Sequence, residues 1–281
     1  MKLARCTDGA AVFWAVVDTE RAQLTPIEGD ITQWGPALTR GEGAAALRLS
    51  GEPRALAAVR LLPPVAKTNR VVVAGANYAK HLAADFGLKS HHQPIAFLKA
   101  HGALIGANDP MRYPPLTQEF DHEVELVAVI GAERVNRDDP MSSVLGYTVG
   151  NDVSCRDLQR SGPPGVGMDL FASKSADRTT GLGPWIVTRD EFGPASPALR
   201  LTLKVNGDLR QDGSTAEMTW NVGELVKFVD ERSSFECGDV MFTGSPAGTG
   251  QGTGKFLQPG DVVEAAIEGI GTLRNVVTRD A

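Results

Sequence analysis

The sequence has 281 residues, of which 42% are hydrophobic and 22% charged, so it is long enough to fold around a large buried core. Its formal net charge of −6 and its pI near 5.4 give no basic surface that would attract a nucleic acid or an anionic membrane. The 3 cysteines are far apart and no segment resembles a membrane helix or a cleaved leader, so we expect a cytoplasmic protein without nucleic-acid or membrane partners.

The beginning of the chain has the pattern of a small β-rich domain. Residues 11–17 and 44–49 read as short strands, and two consecutive prolines follow them as a natural joint. A β-branched run at residues 70–75 then looks like the first strand of a new unit. The sequence therefore predicts a small N-terminal domain at residues 1–66 and a larger domain at residues 67–281.

The larger part is rich in strand patterns that are separated by turns containing glycine or asparagine. Helical patterns are fewer: one follows Tyr78, a short one opens at Ser154, and a third spans residues 222–232. An Asn-Gly pair within residues 206–208 indicates a hairpin turn. The sequence predicts an α+β, mainly β fold. The predicted strands of this part lie at residues 124–131, 143–150, 185–188, 199–206, 240–243 and 262–267.

Two acidic residues, Glu123 and Glu125, stand one residue apart at the start of a predicted strand. Alternate residues of a strand point to the same side, so both carboxylates can reach one cation. A solvated polar face is the alternative interpretation. The apolar continuation at residues 126–130 indicates a buried strand, where two like charges repel each other unless a metal ion neutralises them.

A third oxygen ligand is expected at the end of a neighbouring strand. Asp152 follows the predicted strand at residues 143–150 and is the best-placed acid, although an aspartate before a helix often serves as a cap. Three carboxylates suit a hard ion, so we expect Mg²⁺ or Mn²⁺, and Ca²⁺ also fits. Zinc is disfavoured because the sequence contains neither an HExxH motif nor a cluster of cysteines and histidines.

A series of short motifs resembles the fumarylacetoacetate hydrolase superfamily, in the order that the family has them. Each motif is weak alone, but the ordered set is specific and extends over about residues 70–275. The resemblance implies a mixed β-sandwich roll, and the N-terminal region resembles the extra small domain of many bacterial members. The motifs are GANYAKH (75–81), FLK (97–99), HEVEL (122–126), GYTVGNDVSCRDLQ (146–159), KS (174–175) and TGSPAGTG (243–250).

By this resemblance, Glu123, Glu125 and Asp152 are the metal ligands. Lys174 would lie beside the metal and stabilise developing negative charge, whereas a lysine without this context would be a loop residue in water. Lys99 adds positive charge to the pocket in one interpretation and points outward from a strand end in the other. The substrate-binding candidates are Tyr78, Lys99, Arg156, Gln159 and Thr243, of which Arg156 and Gln159 are one helical turn apart.

His81 is the candidate general base, because imidazole titrates near neutral pH and the family uses a histidine at this point to activate water. Many relatives carry a glutamate three residues later, where this sequence has Ala84. Asp85 follows at i+4, a spacing that a helix would bring to the same face, so we predict it as the replacement. His91 and His92 are predicted to be surface residues.

The resemblance implies hydrolysis of a C–C bond in a 2,4-dioxo acid, giving a 2-oxo acid and a carboxylic acid. Oxaloacetate decarboxylation and hydroxymuconate-type isomerisation are alternatives on the same metal-enolate chemistry, and a non-catalytic metabolite-binding relative is a further one. A nucleotide enzyme is disfavoured because residues 244–255 do not match a phosphate-binding loop. The expected partners are a small 2-oxo or 2,4-dioxo acid and a second copy of the chain in a homodimer.

Overall fold

The computed structural model describes residues 1–88, 92–165 and 167–279. Within these ranges, nineteen strands and six short α-helices confirm the predicted α+β, mainly β class. The helices are α1 (Ile31–Thr39), α2 (Ala79–Phe86), α3 (Arg156–Gln159), α4 (Leu170–Lys174), α5 (Val222–Asp230) and α6 (Gly250–Thr253). The strands are β1 (Lys2–Thr7), β2 (Val12–Asp18), β3 (Gln23–Ile27), β4 (Arg54–Ala55), β5 (Arg60–Leu62), β6 (Val71–Gly75), β7 (Ile95–Leu98), β8 (Leu104–Ile105), β9 (Met111–Arg112), β10 (Phe120–Asp121), β11 (Val124–Ile130), β12 (Val144–Asn151), β13 (Ser154–Cys155), β14 (Thr180–Thr188), β15 (Arg200–Val205), β16 (Asp208–Ser214), β17 (Val240–Phe242), β18 (Val262–Ile267) and β19 (Gly271–Thr278).

The largest sheet has 12 strands in the order β4-β3-β2-β1-β14-β12-β11-β17-β6-β7, with β5 and β8 attached to β1 and β14. Its central antiparallel pair is β11 and β12, in which Glu125 lies opposite Gly150. Both strands are buried along their whole length, which explains why their sequences are almost continuously apolar. Charged side chains at the ends of these two strands are therefore drawn into the interior.

A second sheet of five strands, in the order β16-β15-β18-β19-β9, covers one face of the first. Leu126 and Ala128 of β11 pack with Leu203 of β15 in the largest apolar cluster, whereas Val127 and Val129 point to a second cluster on the opposite face. This alternation is the period of two expected of a strand that is covered on both sides. The predicted mainly β domain is thus a two-sheet sandwich whose central strands have no solvent face.

The hairpin predicted at residues 206–208 is present between β15 and β16. Asn206 and Gly207 have φ angles of 53° and 86°. Two successive residues in this left-handed region form the two-residue turn whose twist suits a hairpin, and asparagine and glycine tolerate it best.

The N-terminal strands continue the large sheet. β1 pairs with β14 in antiparallel register, with Leu3 opposite Ile186. Trp14 and Trp34 belong to the same apolar cluster as Val129 of β11. The N-terminal region therefore shares both a sheet and a core with the larger part, while the division at residue 66 stays a prediction.

Two of the predicted elements are wrong in detail. Residues 44–49 do not form a strand: a 3-10 turn spans Gly43–Ala46, and Leu49 makes an isolated bridge to Ile27. The helix predicted to open at Ser154 begins at Arg156, because Ser154 belongs to β13 and pairs with β10.

The other helical predictions are confirmed. Helix α2 follows Tyr78, and α5 begins at Val222 behind a capping box made by Asn221 and Glu224. No helix in the described ranges is both long enough and apolar enough to cross a membrane.

Candidate active site

The three predicted acids meet where β11 begins and β12 ends. Glu123 directly precedes β11, and its backbone N–H donates to the side-chain oxygen of Asn151 at 2.9 Å. The N–H of Asp152 donates to the carbonyl of Glu123 at 2.8 Å, which fixes the two residues side by side. Oxygens of Glu123, Glu125 and Asp152 all lie within 4.8 Å of one another, and the three residues are buried. The solvated polar face is therefore excluded for this pair of glutamates.

Two lysines lie against these acids. The Nζ atom of Lys174, at the end of α4, is 2.6 Å from Oε2 of Glu123 and 2.6 Å from Oδ2 of Asp152. The Nζ atom of Lys99, which follows β7, is 2.8 Å from Oδ1 of Asp152. Both lysines are buried, so the alternatives of a loop lysine in water and of an outward-pointing strand end are wrong.

Arg156 and Gln159 occupy one face of α3, as their spacing predicted. The Nη1 atom of Arg156 donates to the side-chain oxygen of Gln159 at 3.2 Å. The same guanidinium donates to Glu123 through Nη2 and to Asp121 through Nε, the latter at 2.7 Å. Arg156 is 1% exposed, which makes it a fully buried cation held between two carboxylates.

The electrostatic environments of the acids differ. Burial would raise the pKa of Glu123, but the cations of Arg156 and Lys174 lower it below its usual value. Burial raises the pKa of Glu125 well above its usual value, and the charges of Asp152 and Glu123 raise it further.

Glu125 accepts a hydrogen bond from the Gly244 N–H at 2.7 Å, and within the described residues no cation forms an ion pair with it. A divalent cation would supply the missing positive charge. The three buried carboxylates, of which Glu125 has no cationic side chain paired with it among the described residues, therefore fit a hard ion.

His81 and Asp85 lie one turn apart on α2, beside the acids. The Nδ1 atom of His81 is 3.0 Å from Oδ2 of Asp85, and its Nε2 atom is 4.0 Å from Oε1 of Glu123. The hydroxyl of Thr249 donates to the same oxygen of Asp85. Asp85 thus stands where it can orient the imidazole, while Ala84 is exposed.

The two histidines predicted to lie at the surface have different outcomes. His92 is exposed, as predicted. His91 lies outside the described residues.

Sequence reasoning missed Asp121, whose carboxylate connects α3 to α6. It accepts the Nε–H of Arg156 at 2.7 Å and the backbone N–H groups of Gly250 and Gln251 at 2.5 and 2.9 Å. Asp121 is 0% exposed, so these donors replace water completely. Its partners are distant in the sequence, and no sequence pattern around Asp121 indicates that it contacts them.

A cavity lies over the acids and has two kinds of lining. Its polar lining comes from Glu123, Glu125, Asp152, His81, Arg156, Gln159 and Lys174. Its apolar lining comes from β6, β7, α2 and the residues around the start of α4. The arrangement joins a charged end, able to bind a carboxylate and an oxo group, to an apolar end.

Three of the predicted substrate-binding residues do not line this cavity. Lys99 lies behind Asp152, and the hydroxyl of Thr243 donates to a backbone carbonyl of β11 at 2.8 Å. Tyr78 is fully buried outside the lining. The residues after Thr243, Gly244 and Ser245, reach the cavity in its place.

The family model for the fumarylacetoacetate (FAA) hydrolase C-terminal domain matches residues 70–278, and the model for the Rv2993c-like N-terminal domain matches residues 1–64. The chain belongs to the fumarylacetoacetate hydrolase family. Its structure agrees, because solved structures similar to it, among them a fumarylacetoacetate hydrolase from Exiguobacterium antarcticum with a TM-score of 0.78 and 31% identity, cover 99% of this chain and 99% of the solved one. This membership supports an enzyme that acts on small acids by the chemistry of the family.

Three similar proteins illustrate the range of the fumarylacetoacetate hydrolase family. The maleylpyruvate hydrolase of Aquipseudomonas alcaligenes is 39% identical, over 78% of this chain and 75% of that protein. The crystal structure of 5-carboxymethyl-2-hydroxymuconate delta-isomerase from Mycobacterium smegmatis has a TM-score of 0.80 and 32% identity, and covers 99% of both chains. The fumarylpyruvate hydrolase of Pseudomonas aeruginosa, solved in complex with Mn²⁺ and pyruvate, has a TM-score of 0.67 and 29% identity, and covers 78% of this chain and 91% of that one.

Proposed function

We propose that the protein is a divalent-metal-dependent hydrolase that cleaves the C–C bond of a 2,4-dioxo acid into a 2-oxo acid and a carboxylic acid. The observation that carries this proposal is the His81–Asp85 pair, with the imidazole Nε2 4.0 Å from Glu123 and Nδ1 3.0 Å from Asp85. A base held by an acid next to a metal-binding cluster is the arrangement that activates water. Decarboxylation of oxaloacetate requires no such activated water.

Glu123, Glu125 and Asp152 would hold the ion. Their oxygen ligands favour Mg²⁺ or Mn²⁺, with Ca²⁺ as a further fit, and a relative solved with Mn²⁺ supports this choice. When bound, such an ion supplies Lewis-acid polarisation of the substrate oxygens.

Other side chains of the cavity would bind the substrate and transfer protons. Arg156 and Gln159 would bind the substrate carboxylate, since they share one face of α3 and line the cavity. His81 would take a proton from water at Nε2, while Asp85 holds the proton on Nδ1. The hydroxide adds to the distal carbonyl carbon, the C–C bond breaks, and its electron pair passes to the enolate of the 2-oxo acid.

Lys174 would stabilise that enolate. Burial would lower its pKa, but Asp152 and Glu123 hold the pKa above its usual value, so the ammonium stays charged. His81 then returns its proton, and the enolate is released as the 2-oxo acid.

A second candidate keeps the acids and Lys174 but does not use the activated water. It is decarboxylation of oxaloacetate or isomerisation of a hydroxymuconate-type dienol, and the similarity to a muconate isomerase favours it. Both reactions form the same kind of enolate, which the ion and Lys174 would stabilise together.

Substitution of His81 separates the candidates. With Mn²⁺ present, His81→Ala should abolish cleavage of acetylpyruvate and leave oxaloacetate turnover largely intact, as followed by ultraviolet absorbance. His92→Ala, an exposed histidine, is the matched control and should change neither reaction. Unchanged acetylpyruvate cleavage in His81→Ala would refute the hydrolase mechanism, and a wild type that turns over oxaloacetate but no acylpyruvate would favour the second candidate.

A cytoplasmic homodimer belongs to the same proposal. It follows from the family resemblance, and sedimentation equilibrium of the purified protein measures the mass directly.

A further inference from the structure

We infer that the acyl end of the substrate is uncharged and apolar, so that the preferred 2,4-dioxo acids carry one carboxylate and a hydrocarbon acyl group. This inference rests on the proposed function and names its substrate class. It comes from the distribution of charge in the cavity above the acids.

The sheet order separates the two linings of that cavity. The acids lie at the start of β11 and just after β12, whereas the apolar lining belongs mainly to β6 and β7, with β17 between β11 and β6 in the sheet. Three of the apolar side chains, Leu88, Ile95 and Met168, are 45%, 41% and 50% exposed, so they stand at the mouth. Val73, Leu82 and Phe97 continue the apolar lining inward.

Among the described residues, the cations beside the acids lie at the charged end of the cavity. Lys174 contacts Glu123 and Asp152, Lys99 contacts Asp152, and Arg156 contacts Asp121 and Glu123. Among the described residues that line the cavity, the apolar end has no lysine and no arginine. The acyl group of a bound substrate therefore meets hydrocarbon side chains along this described lining.

The position of His81 determines which end of the substrate lies against the charged lining and which lies against the apolar lining. It is on α2, next to the apolar Leu82, and its Nε2 faces the acids at 4.0 Å from Glu123. Water activated at this nitrogen attacks the distal carbonyl at the junction of the two linings. The group beyond that carbonyl must then lie along the apolar side chains of the described lining, where transfer of a carboxylate out of water costs free energy.

The test compares two substrates of equal carbon count. Butanoylpyruvate and succinylpyruvate differ in that a terminal methyl group of the first is a carboxylate in the second. The wild type with Mn²⁺ should have a kcat/KM at least about tenfold higher for butanoylpyruvate, since burial of a charged group against apolar side chains costs free energy. Titration calorimetry with Mn²⁺-loaded His81→Ala, in which hydrolysis is blocked, should show the same preference in binding.

A lysine placed on the apolar lining should reduce the preference for butanoylpyruvate. Ile95→Lys puts a cation at the mouth of the cavity, at a half-exposed position where a lysine can be accommodated. Met168→Lys does the same from the segment that precedes α4. Ala96→Lys is the matched control, because Ala96 is exposed and points to the opposite face of β7 from Ile95.

The possible outcomes distinguish a failure of this inference from a failure of the proposed hydrolase function. A preference for butanoylpyruvate that Ile95→Lys or Met168→Lys reduces, and that Ala96→Lys leaves unchanged, supports the inference. Equal or better binding and cleavage of succinylpyruvate by the wild type overturns it and leaves the hydrolase standing. Binding that favours butanoylpyruvate without any cleavage supports the apolar end and overturns the hydrolase, whereas absence of binding overturns both.

Discussion

Glu125 is the acid of the triad with the least positive charge around it. Lys174 and Lys99 lie between 2.6 and 2.8 Å from oxygens of Glu123 and Asp152, but Glu125 receives one backbone N–H. Burial and its two acidic neighbours raise its pKa well above the usual value. Without metal, its carboxyl group therefore keeps a proton at a pH where an ordinary glutamate has lost it.

Metal binding should release this proton. The carboxylate binds the ion and the carboxylic acid does not, so the affinity for Mn²⁺ should rise with pH above about 4.3, the usual glutamate value, until the raised pKa of Glu125 is passed. Calorimetry in two buffers with different ionisation enthalpies measures the proton release. Glu125→Gln should eliminate the release and weaken binding, and an affinity that is independent of pH between about 5 and 7 would contradict this assignment.

Lys174 should matter for turnover more than for metal binding. Lys174→Met removes a charged donor from the site of developing negative charge, so kcat should fall by on the order of 10² or more. The affinity for Mn²⁺, measured by calorimetry, should be retained, because the three carboxylates stay in place. Lys80→Met is the matched control, since Lys80 is 77% exposed and pairs with Glu217. An intact kcat in Lys174→Met would remove this lysine from the mechanism.

Asp85 should act through His81. Asp85→Asn keeps the shape of the side chain but removes the charge that holds the imidazole, so cleavage of acetylpyruvate should slow by about tenfold or more. KM should change little, because Asp85 does not line the cavity. Steady-state kinetics give both constants, and a change confined to KM would assign Asp85 to substrate binding.

At the scale of elements, strand periodicity made the acidic site predictable. Glu123 and Glu125 share a side because residues alternate along a strand, and Asp152 joins them because β12 pairs with β11. The burial of Lys99 and Lys174 could not be deduced, because it depends on which strand ends face each other. The same limit applies to residues 44–49, whose apolar composition fits a strand, although the chain forms a 3-10 turn there.

Asp121 shows what sequence patterns cannot supply. Its carboxylate binds the first residues of α6, which follow Thr249, the hydroxyl donor to Asp85. It also holds Arg156 of α3. One buried carboxylate thus links the element that carries the predicted anion-binding arginine to the element that supports the His81–Asp85 pair.

Replacing Asp121 with a neutral residue should weaken the connection between α3 and α6. Asp121→Asn cannot satisfy the same donors, so the free energy of unfolding should fall by about 3 kcal/mol, as for other buried charge pairs that lose one partner. KM for an acylpyruvate should rise as Arg156 loses its alignment. Chemical denaturation and steady-state kinetics measure the two effects. Asp208→Asn, at an exposed position of β16, is the control, and equal effects of both substitutions would argue against a specific role for Asp121.

At the scale of the whole molecule, the N-terminal region is joined to the catalytic part by more than the connecting segment. β1 extends the sheet through β14, with Leu3 opposite Ile186. Trp34 is 3% exposed and its ring meets that of Trp14 edge to face at a centroid distance of 5.3 Å. Both tryptophans share an apolar cluster with Val129 of β11, the strand that also carries Glu125.

Because the N-terminal region and the catalytic part share a core, we expect them to unfold together, although the sequence pattern and the family models both divide the chain near residue 66. We expect one calorimetric transition for the intact chain, with equal calorimetric and van't Hoff enthalpies. Trp34→Ala, which leaves a cavity between the N-terminal region and β11, should lower the free energy of unfolding by about 3–5 kcal/mol and shift the whole transition. Leu49→Ala, at a residue that is 62% exposed, should leave the temperature of the transition unchanged. Two transitions, of which Trp34→Ala moves one, would instead mean that the paired sheet and the common cluster do not make the two regions cooperative.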